Sequence, residues 1–208
     1  MKSFAKLASC LAAIVMAVPA QAAIITSVEI RNAIPTWLQV GELELFQVGT
    51  GRNVALATNG GVATASSVFG FAALGQPANY AVAGFANDGS TNGDYGLAGN
   101  GIFHSGTAGG SEWLRITLAA ATDVRTISIH GRTDGGNGVR DVYNYFAYNG
   151  SQLVATGRLD ATRSYHFATA DLGVAPVPEP ATWMMLLAGF GIVGFAMRNR
   201  RNRIAALV

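Results

Sequence analysis

Glu112-Trp113-Leu114-Arg115-Ile116-Thr117-Leu118, followed a few residues on by Thr126-Ile127-Ser128-Ile129-His130, decides the fold class. In both runs apolar and polar side chains alternate, the period of two that puts one set on each face of a strand. Leu43 and Leu45 alternate with Glu42 and Glu44 in the same way. From Ala23 to Gly173 such short runs are separated by Gly, Asn, Asp and Ser, and no long stretch has helical spacing. The predicted fold is all-β, a sandwich of short strands. Asn149-Gly150, between Tyr143–Tyr148 and Gln152–Ala155, predicts a hairpin turn. Ala72–Gly110 is rich in Gly and Asn and predicts long functional loops at one end of the sandwich. No internal repeat is present.

Working outward, both ends of the 208-residue chain differ from this domain. Lys2 and Lys6 precede an apolar run from Leu7 to Val18, and Ala20-Gln21-Ala22 has the small-x-small form of a cleavage site. This order predicts a signal peptide over residues 1–22 rather than a buried helix. Leu7-Ala8-Ser9-Cys10 looks like a lipoprotein box, but the apolar run follows Cys10 instead of preceding it, so lipidation is rejected. Cleavage would remove the single cysteine, leaving no disulfide and no thiol chemistry. Roughly 150 residues then remain, enough to bury about two-thirds of their surface without covalent staples.

The formal charge of +2 misleads. Both lysines lie in the signal, and four arginines lie beyond Met197. Between Ala23 and Pro178 there are 8 Arg and no Lys against 11 Asp and Glu, a net of −3. A mildly acidic domain without lysine has no electrostatic footprint for nucleic acid, which excludes that partner class.

The C-terminal stretch reads Pro176-Val177-Pro178-Glu179-Pro180-Ala181-Thr182-Trp183, then apolar residues to Met197, then Arg198-Asn199-Arg200-Arg201-Asn202-Arg203. The prolines keep a linker over residues 174–182 extended. Trp183 suits a membrane interface, and the arginines suit its cytoplasmic side. Trp183 to Met197 makes about 22 Å of helix, short of the usual ~30 Å hydrocarbon core. Residues 183–208 are therefore predicted as a short transmembrane helix with an Arg-rich tail. An ordinary C-terminal anchor is the plainer alternative. The order of parts, with Pro178, Glu179, Pro180, Trp183, Arg198, Arg200 and Arg201 at its centre, resembles the PEP-CTERM sorting signal of Gram-negative bacteria. The resemblance implies an exosortase-type processing enzyme as partner and a membrane-anchored intermediate. It also implies a final place at the cell surface or in the extracellular polysaccharide matrix. It gives an address and no activity.

Signatures of catalysis are missing from the domain: no phosphate loop, no GxSxG elbow, no HExxH and no cysteine site. The expectation is a protein that is not an enzyme.

The order of elements from Asn53 onward carries a second resemblance. Asn53-Val54-Ala55-Leu56, Ala63–Ser67, Ala86-Asn87-Asp88-Gly89, Phe103-His104-Ser105, Glu112–Leu118 and Ile127–Asp134 with Arg140 follow one another. The sequence resembles the galactose-binding-like jelly rolls of the discoidin group, and is most similar within it to the F-type lectins. Their signature is a His, a spacer, Arg-x-Asp, and a further basic residue. The resemblance implies a jelly-roll β-sandwich in which His104, Arg132 and Arg140 converge on a sugar while Asp134 orients an arginine. A neutral imidazole and two guanidinium forks suit an uncharged ligand. Four departures stand out: 27 residues separate His104 from Arg132, a few more than usual; Asp134 to Arg140 is one residue longer; Thr133 replaces a common Gly; and Gly135-Gly136 stands where many members carry paired cysteines. The alternative makes Arg132 and Asp134 a strand-end salt bridge and His104 a loop residue.

The same resemblance implies a structural calcium ion held by the Asp of an Asp-Gly turn and a Glu from a late strand. Asp88 matches the first. The second lies at the wrong end, in Leu38-Gln39-Val40-Gly41-Glu42-Leu43-Glu44-Leu45. A circular permutation accounts for this, since sheet pairing does not depend on where the chain is cut. Glu42 and Asp88 would then meet, with carbonyls of Gly41, Phe85, Ser90 and Gly101 completing an oxygen shell of the kind calcium takes. The plainer alternative leaves Glu42 on a solvated strand face and Asp88 in a turn. Three functions follow: a surface or matrix module binding polysaccharide, a structural matrix protein with a decayed sugar site, and, less favoured, a secreted hydrolase.

Overall fold

The computed structural model describes residues 23–70, 81–95, 101–163, 165–173 and 189–191. The predicted signal peptide, the linker and the sorting residues Pro178 to Arg201 lie outside them. Of the predicted span only the helical residues Gly189–Gly191 are described, and among the described residues no helix is long and apolar enough to cross a membrane. The β-rich residues belong to one compact unit, Gln21–Ala175.

Among its described residues are nine strands: β1 (Ala23–Asn32), β2 (Trp37–Val40), β3 (Glu42–Gln47), β4 (Val62–Ala65), β5 (Phe103–Ala108), β6 (Trp113–His130), β7 (Val142–Asn149), β8 (Gln152–Asp160) and β9 (Phe167–Asp171). Short 3-10 turns occur at Ala57–Asn59, Ala83–Asn87 and Asn137–Arg140. Every strand pairing is antiparallel. Seven strands form one sheet, and β2 pairs with β5 in a second.

The two alternating runs of the sequence are the halves of one strand, β6. Its first half lies between β1 and β4, with Leu114 opposite Ile30 and Ala65. Its second half lies between β3 and β9, with Ile127 opposite Leu45 and Ala170. The buried residues run Leu114, Ile116, Leu118 and Val124, then Ile127 and Ile129. The interval from Val124 to Ile127 is odd, so the pleat must change phase there. It does so where the β3 register slips between Phe46 and Gln47. A bulge of this kind bends and twists a strand, which lets one strand serve two parts of a sandwich-like core. Leu114, Ile116, Ile127 and Ile129 are fully buried, each contributing about 1.5–3 kcal/mol by removal from water.

The hairpin forms between β7 and β8, but Asn149 stays in the ladder opposite Gln152. The two turn residues are Gly150 and Ser151, one position later than Asn149-Gly150 suggests, and Gly150 takes the required positive φ of 59°. The stretch Ala72–Gly110 is also less loop-like than its composition implies. It contains the turn Ala83–Asn87 and strand β5, because Phe103 is fully buried and pairs with Val40. Residues 71–80 and 96–100 lie outside the described residues.

Candidate functional site

Strand β2 ends at Val40, and Gly41 carries the chain from the two-stranded sheet to β3. That break sets one strand of each sheet beside the segment that follows β6. Gly41 donates its N–H to the His130 carbonyl at 2.8 Å, and Thr133 donates to the Gly93 carbonyl at 2.9 Å. Three chain segments cross so closely here that a Cβ on Gly93 would lie 2.1 Å from the Gly131 oxygen. Glycine is required by contact at that crossing, and it places the loop Asp88–Tyr95 between two groups of polar side chains.

The first group gathers around His104. This residue lies on β5 opposite Gln39, buried, rather than in a loop. Its Nδ1 hydrogen-bonds the Ser105 carbonyl at 2.8 Å, which requires that nitrogen to donate and leaves Nε2 as the acceptor of a neutral ring. Aromatic rings surround it: Phe69 at 4.8 Å, Tyr95 at 5.4 Å and Trp37 at 6.3 Å between centroids. Burial pushes the imidazole below its usual pKa, and the positive charges of Arg132 and Arg140 push it further the same way. Both guanidiniums therefore act on this ring. Arg132 stacks over Tyr95 at 4.3 Å, and Arg140 lies over Trp37 at 5.4 Å.

Asp134 grips Arg132 through two bonds, to Nε at 2.6 Å and to the terminal nitrogen at 2.9 Å. It also accepts the Tyr95 N–H at 3.1 Å. Hydrogen bonding from Arg132 holds the Asp134 carboxyl below the usual carboxylate range. His104, Arg132, Asp134 and Arg140 are thus brought together. Sequence reasoning missed the aromatic frame: Trp37 and Tyr95, which stack against the guanidiniums, and Phe69, which packs edge-on against His104. An aromatic residue stranded among Gly, Asn and Asp, as Tyr95 is, was the available signal.

The second group is Glu42 and the Asp88-Gly89 turn. Buried Asn87 anchors that turn by donating to the carbonyls of Ala55 and Gly61 at 2.9 and 3.1 Å. Gly89 takes φ 92°, a left-handed conformation suited to glycine, and its N–H donates to Glu42 Oε1 at 3.2 Å. Glu42 is fully buried and its Oε2 has no hydrogen-bond partner. Burial pushes this carboxyl up to about 8, with the Asp88 and Glu44 charges adding to the rise and the Gly89 N–H opposing it. Asp88 is exposed, its Oδ1 accepting the Ser90 N–H at 2.8 Å. Of the carbonyl residues expected around a cation, Gly41 precedes Glu42, Ser90 follows the turn, and Phe85 and Gly101 pack against each other, a Cβ on Gly101 falling 2.7 Å from the Phe85 ring. Among the described residues no three His, Cys, Asp or Glu side chains cluster as a metal set. A buried carboxylate oxygen without a hydrogen-bond partner, close enough to Asp88 for that charge to raise its pKa, is the feature here that suits a hard cation such as calcium.

A third element, also missed in the sequence, supports the first group. Asp141 is completely buried and accepts Tyr143 Oη at 3.0 Å and His166 Nδ1 at 3.0 Å. It also accepts the backbone N–H of Arg132, so it fixes the start of the arginine loop. Burial pushes its carboxyl up to about 6 against the bonds from Tyr143, His166 and Arg132. Tyr165 and His166 both have positive φ, 53° and 61°, a conformation that costs non-glycine residues free energy. His166 holds it while bonding Asp141 and giving its carbonyl to the Gly131 N–H at 2.7 Å.

Comparison with known proteins bears on the tail alone. A family model described as the PEP-CTERM protein-sorting motif matches residues 176–201. No curated protein and no solved structure matches the chain. The chain carries a PEP-CTERM sorting motif, which supports export through an exosortase-type processing system by way of a membrane-anchored intermediate of the Gram-negative kind.

Proposed function

We propose that the domain is a non-enzymatic carbohydrate-binding module, a circularly permuted galactose-binding-like jelly roll related to the discoidin and F-type lectin group. On this reading a calcium ion stabilises it, and the tail delivers it to the cell surface or extracellular matrix, where it holds polysaccharide. One observation carries the reading: His104, Arg132, Asp134 and Arg140, from separate parts of the chain, gather in one aromatic frame with a neutral imidazole between two guanidiniums. Nε2 of His104 accepts from a sugar hydroxyl, and the guanidiniums donate to ring or hydroxyl oxygens. The meeting of Glu42 with the Asp88-Gly89 turn supports both the permutation and the cation. Calcium, when bound, supplies charge balance for two carboxylates. Glu42 and Asp88 would hold it.

A glycan array probed with the full chain in mild detergent and calcium tests this. Saccharide binding is expected, and Arg132→Ala should abolish it. Binding that is absent, or untouched by the substitution, counts against the reading. One observation favours a structural matrix protein with a decayed sugar site instead: Arg132 spends two of its nitrogens on Asp134. Saccharide binding separates the two.

A further inference from the structure

The charges of the His104 pocket do not balance. Asp134 takes Arg132 in a two-bond grip, so that pair is close to neutral and needs no further anion. Arg140 has no carboxylate within salt-bridge distance among the described residues. Among the described residues it lies over the face of Trp37, at 5.4 Å. Stacking on an aromatic ring fixes the plane of a guanidinium while leaving its edge donors available. His104 does not repair the imbalance, because its Nδ1–H is spent on the Ser105 carbonyl and the ring is neutral. Around Trp37 the described residues therefore offer one unpaired positive fork, partly buried, and one lone-pair acceptor, in a domain whose net charge is negative.

A ligand that satisfies both groups needs an anionic oxygen pair for Arg140 and a hydroxyl donor for His104 Nε2. An uncharged sugar supplies the second and not the first. Acetate supplies the first and not the second. From the aromatic frame, the lone Arg140 fork and the His104 acceptor, we propose that the pocket takes a carboxylated saccharide, a uronic-acid unit of an acidic polysaccharide. Its carboxylate meets Arg140 and a ring hydroxyl meets His104. The planar guanidinium fork matches a carboxylate two bonds to two. This inference rests on the carbohydrate-binding reading and sharpens it, since that reading alone suits a neutral sugar.

The test is calorimetric titration of the full chain in detergent micelles with calcium at neutral pH. The probes are a galacturonate trisaccharide, the matched galactose trisaccharide and sodium acetate. The acidic trisaccharide should bind about tenfold more tightly than the neutral one, which is about 1.4 kcal/mol. Raising salt from roughly 50 to 300 mM should narrow that gap, because screening acts on the charged contact. Arg140→Gln should remove the preference and bring the two trisaccharides to about equal affinity. Arg140→Lys, which keeps the charge without the fork, should retain part of it. A neutral trisaccharide that binds as well as the acidic one overturns the inference while sparing carbohydrate binding. So does a preference that survives Arg140→Gln. Acetate binding as tightly as the acidic trisaccharide shows a bare anion site and overturns it as well. Binding of no saccharide at all overturns this inference and the broader reading together.

Discussion

Two buried glutamates, one on β1 and one on β3, are treated in opposite ways. Glu29 is 1% exposed and sits between two arginines, with Arg31 Nε at 2.6 Å from one oxygen and an Arg115 nitrogen on the other. Those arginines stack over Phe146, Trp113 and Tyr148 on the outer face of the sheet. Glu42 is 0% exposed and has no salt-bridge partner among the described residues. It faces the carboxylates of Asp88 and Glu44, one backbone N–H at hydrogen-bond distance, and nothing at Oε2. The same side chain in comparable burial is a finished ion cluster at one place and an unbalanced acid at the other. Burying an uncompensated charge is costly enough that a group neutralises instead. Glu42 is therefore protonated near neutral pH unless a cation balances it, as the proposed calcium would.

The largest expected effect comes from breaking that asymmetry with pH. The pKa of Glu42 is raised from 4.5 to about 8 by burial, so its contribution is complete below about pH 4.5 and is lost as pH rises through about 8. In chelator, the stability of the chain should fall across that window by about 3–5 kcal/mol. Glu42→Gln should flatten the fall and be the more stable protein at pH 9. With calcium present the carboxylate form is the favoured one, so the wild type should recover and the variant should not respond. Denaturant unfolding at pH 5 and pH 9, with and without the metal, reads all four conditions. A variant that gains stability from calcium as the wild type does would remove Glu42 from any cation site.

Breaking the finished cluster should cost less and behave differently. Glu29→Gln leaves Arg31 and Arg115 facing each other across a neutral amide that can accept only part of their donors. Both arginines are about two-fifths exposed, so water recovers much of the lost interaction, and a loss of about 1–2 kcal/mol is expected. Calcium should not restore it. A calcium-dependent rescue of Glu29→Gln would mean that the two glutamates are not separate systems. The distinction drawn between them would then be wrong.

The sheet halves around β6 were legible because alternation reports directly which side of a strand is buried. Leu114, Ile116, Ile127 and Ile129 all face the core as their spacing requires. What alternation cannot report is that both runs belong to one strand, since the phase change between Val124 and Ile127 reads as a break. The meeting of Glu42 with the Asp88-Gly89 turn, and of His104 with the arginines, was anticipated through a resemblance in element order. Local pattern alone could not have supplied it, because 45 residues separate Glu42 from Asp88. Trp37, Tyr95 and Asp141 stayed hidden for a related reason. Their roles are stacking on Arg140, stacking on Arg132 and fixing the Arg132 backbone. Each depends on a contact between distant segments and leaves no periodic mark. The hairpin erred by one residue, since Asn149 and Gly150 both favour turns and only cross-strand pairing chooses between them.

The smallest effect offers the finest test of why Glu42 is unbalanced. Asp88 is exposed and contributes to the raised Glu42 pKa through like-charge repulsion, behind burial and alongside Glu44. Asp88→Asn removes that repulsion but keeps a side-chain oxygen able to accept the Ser90 N–H. In chelator at pH 8 the variant should gain at most about 0.5 kcal/mol, because an exposed charge is well screened. In calcium the balance reverses, since one of two carboxylates facing the ion is gone, and the midpoint of calcium-induced stabilisation should move to about tenfold higher concentration. An aspartate that merely shaped its turn would give neither change. The opposite signs in chelator and in calcium mark Asp88 as an electrostatic neighbour of Glu42, and equal signs would reduce it to a turn residue.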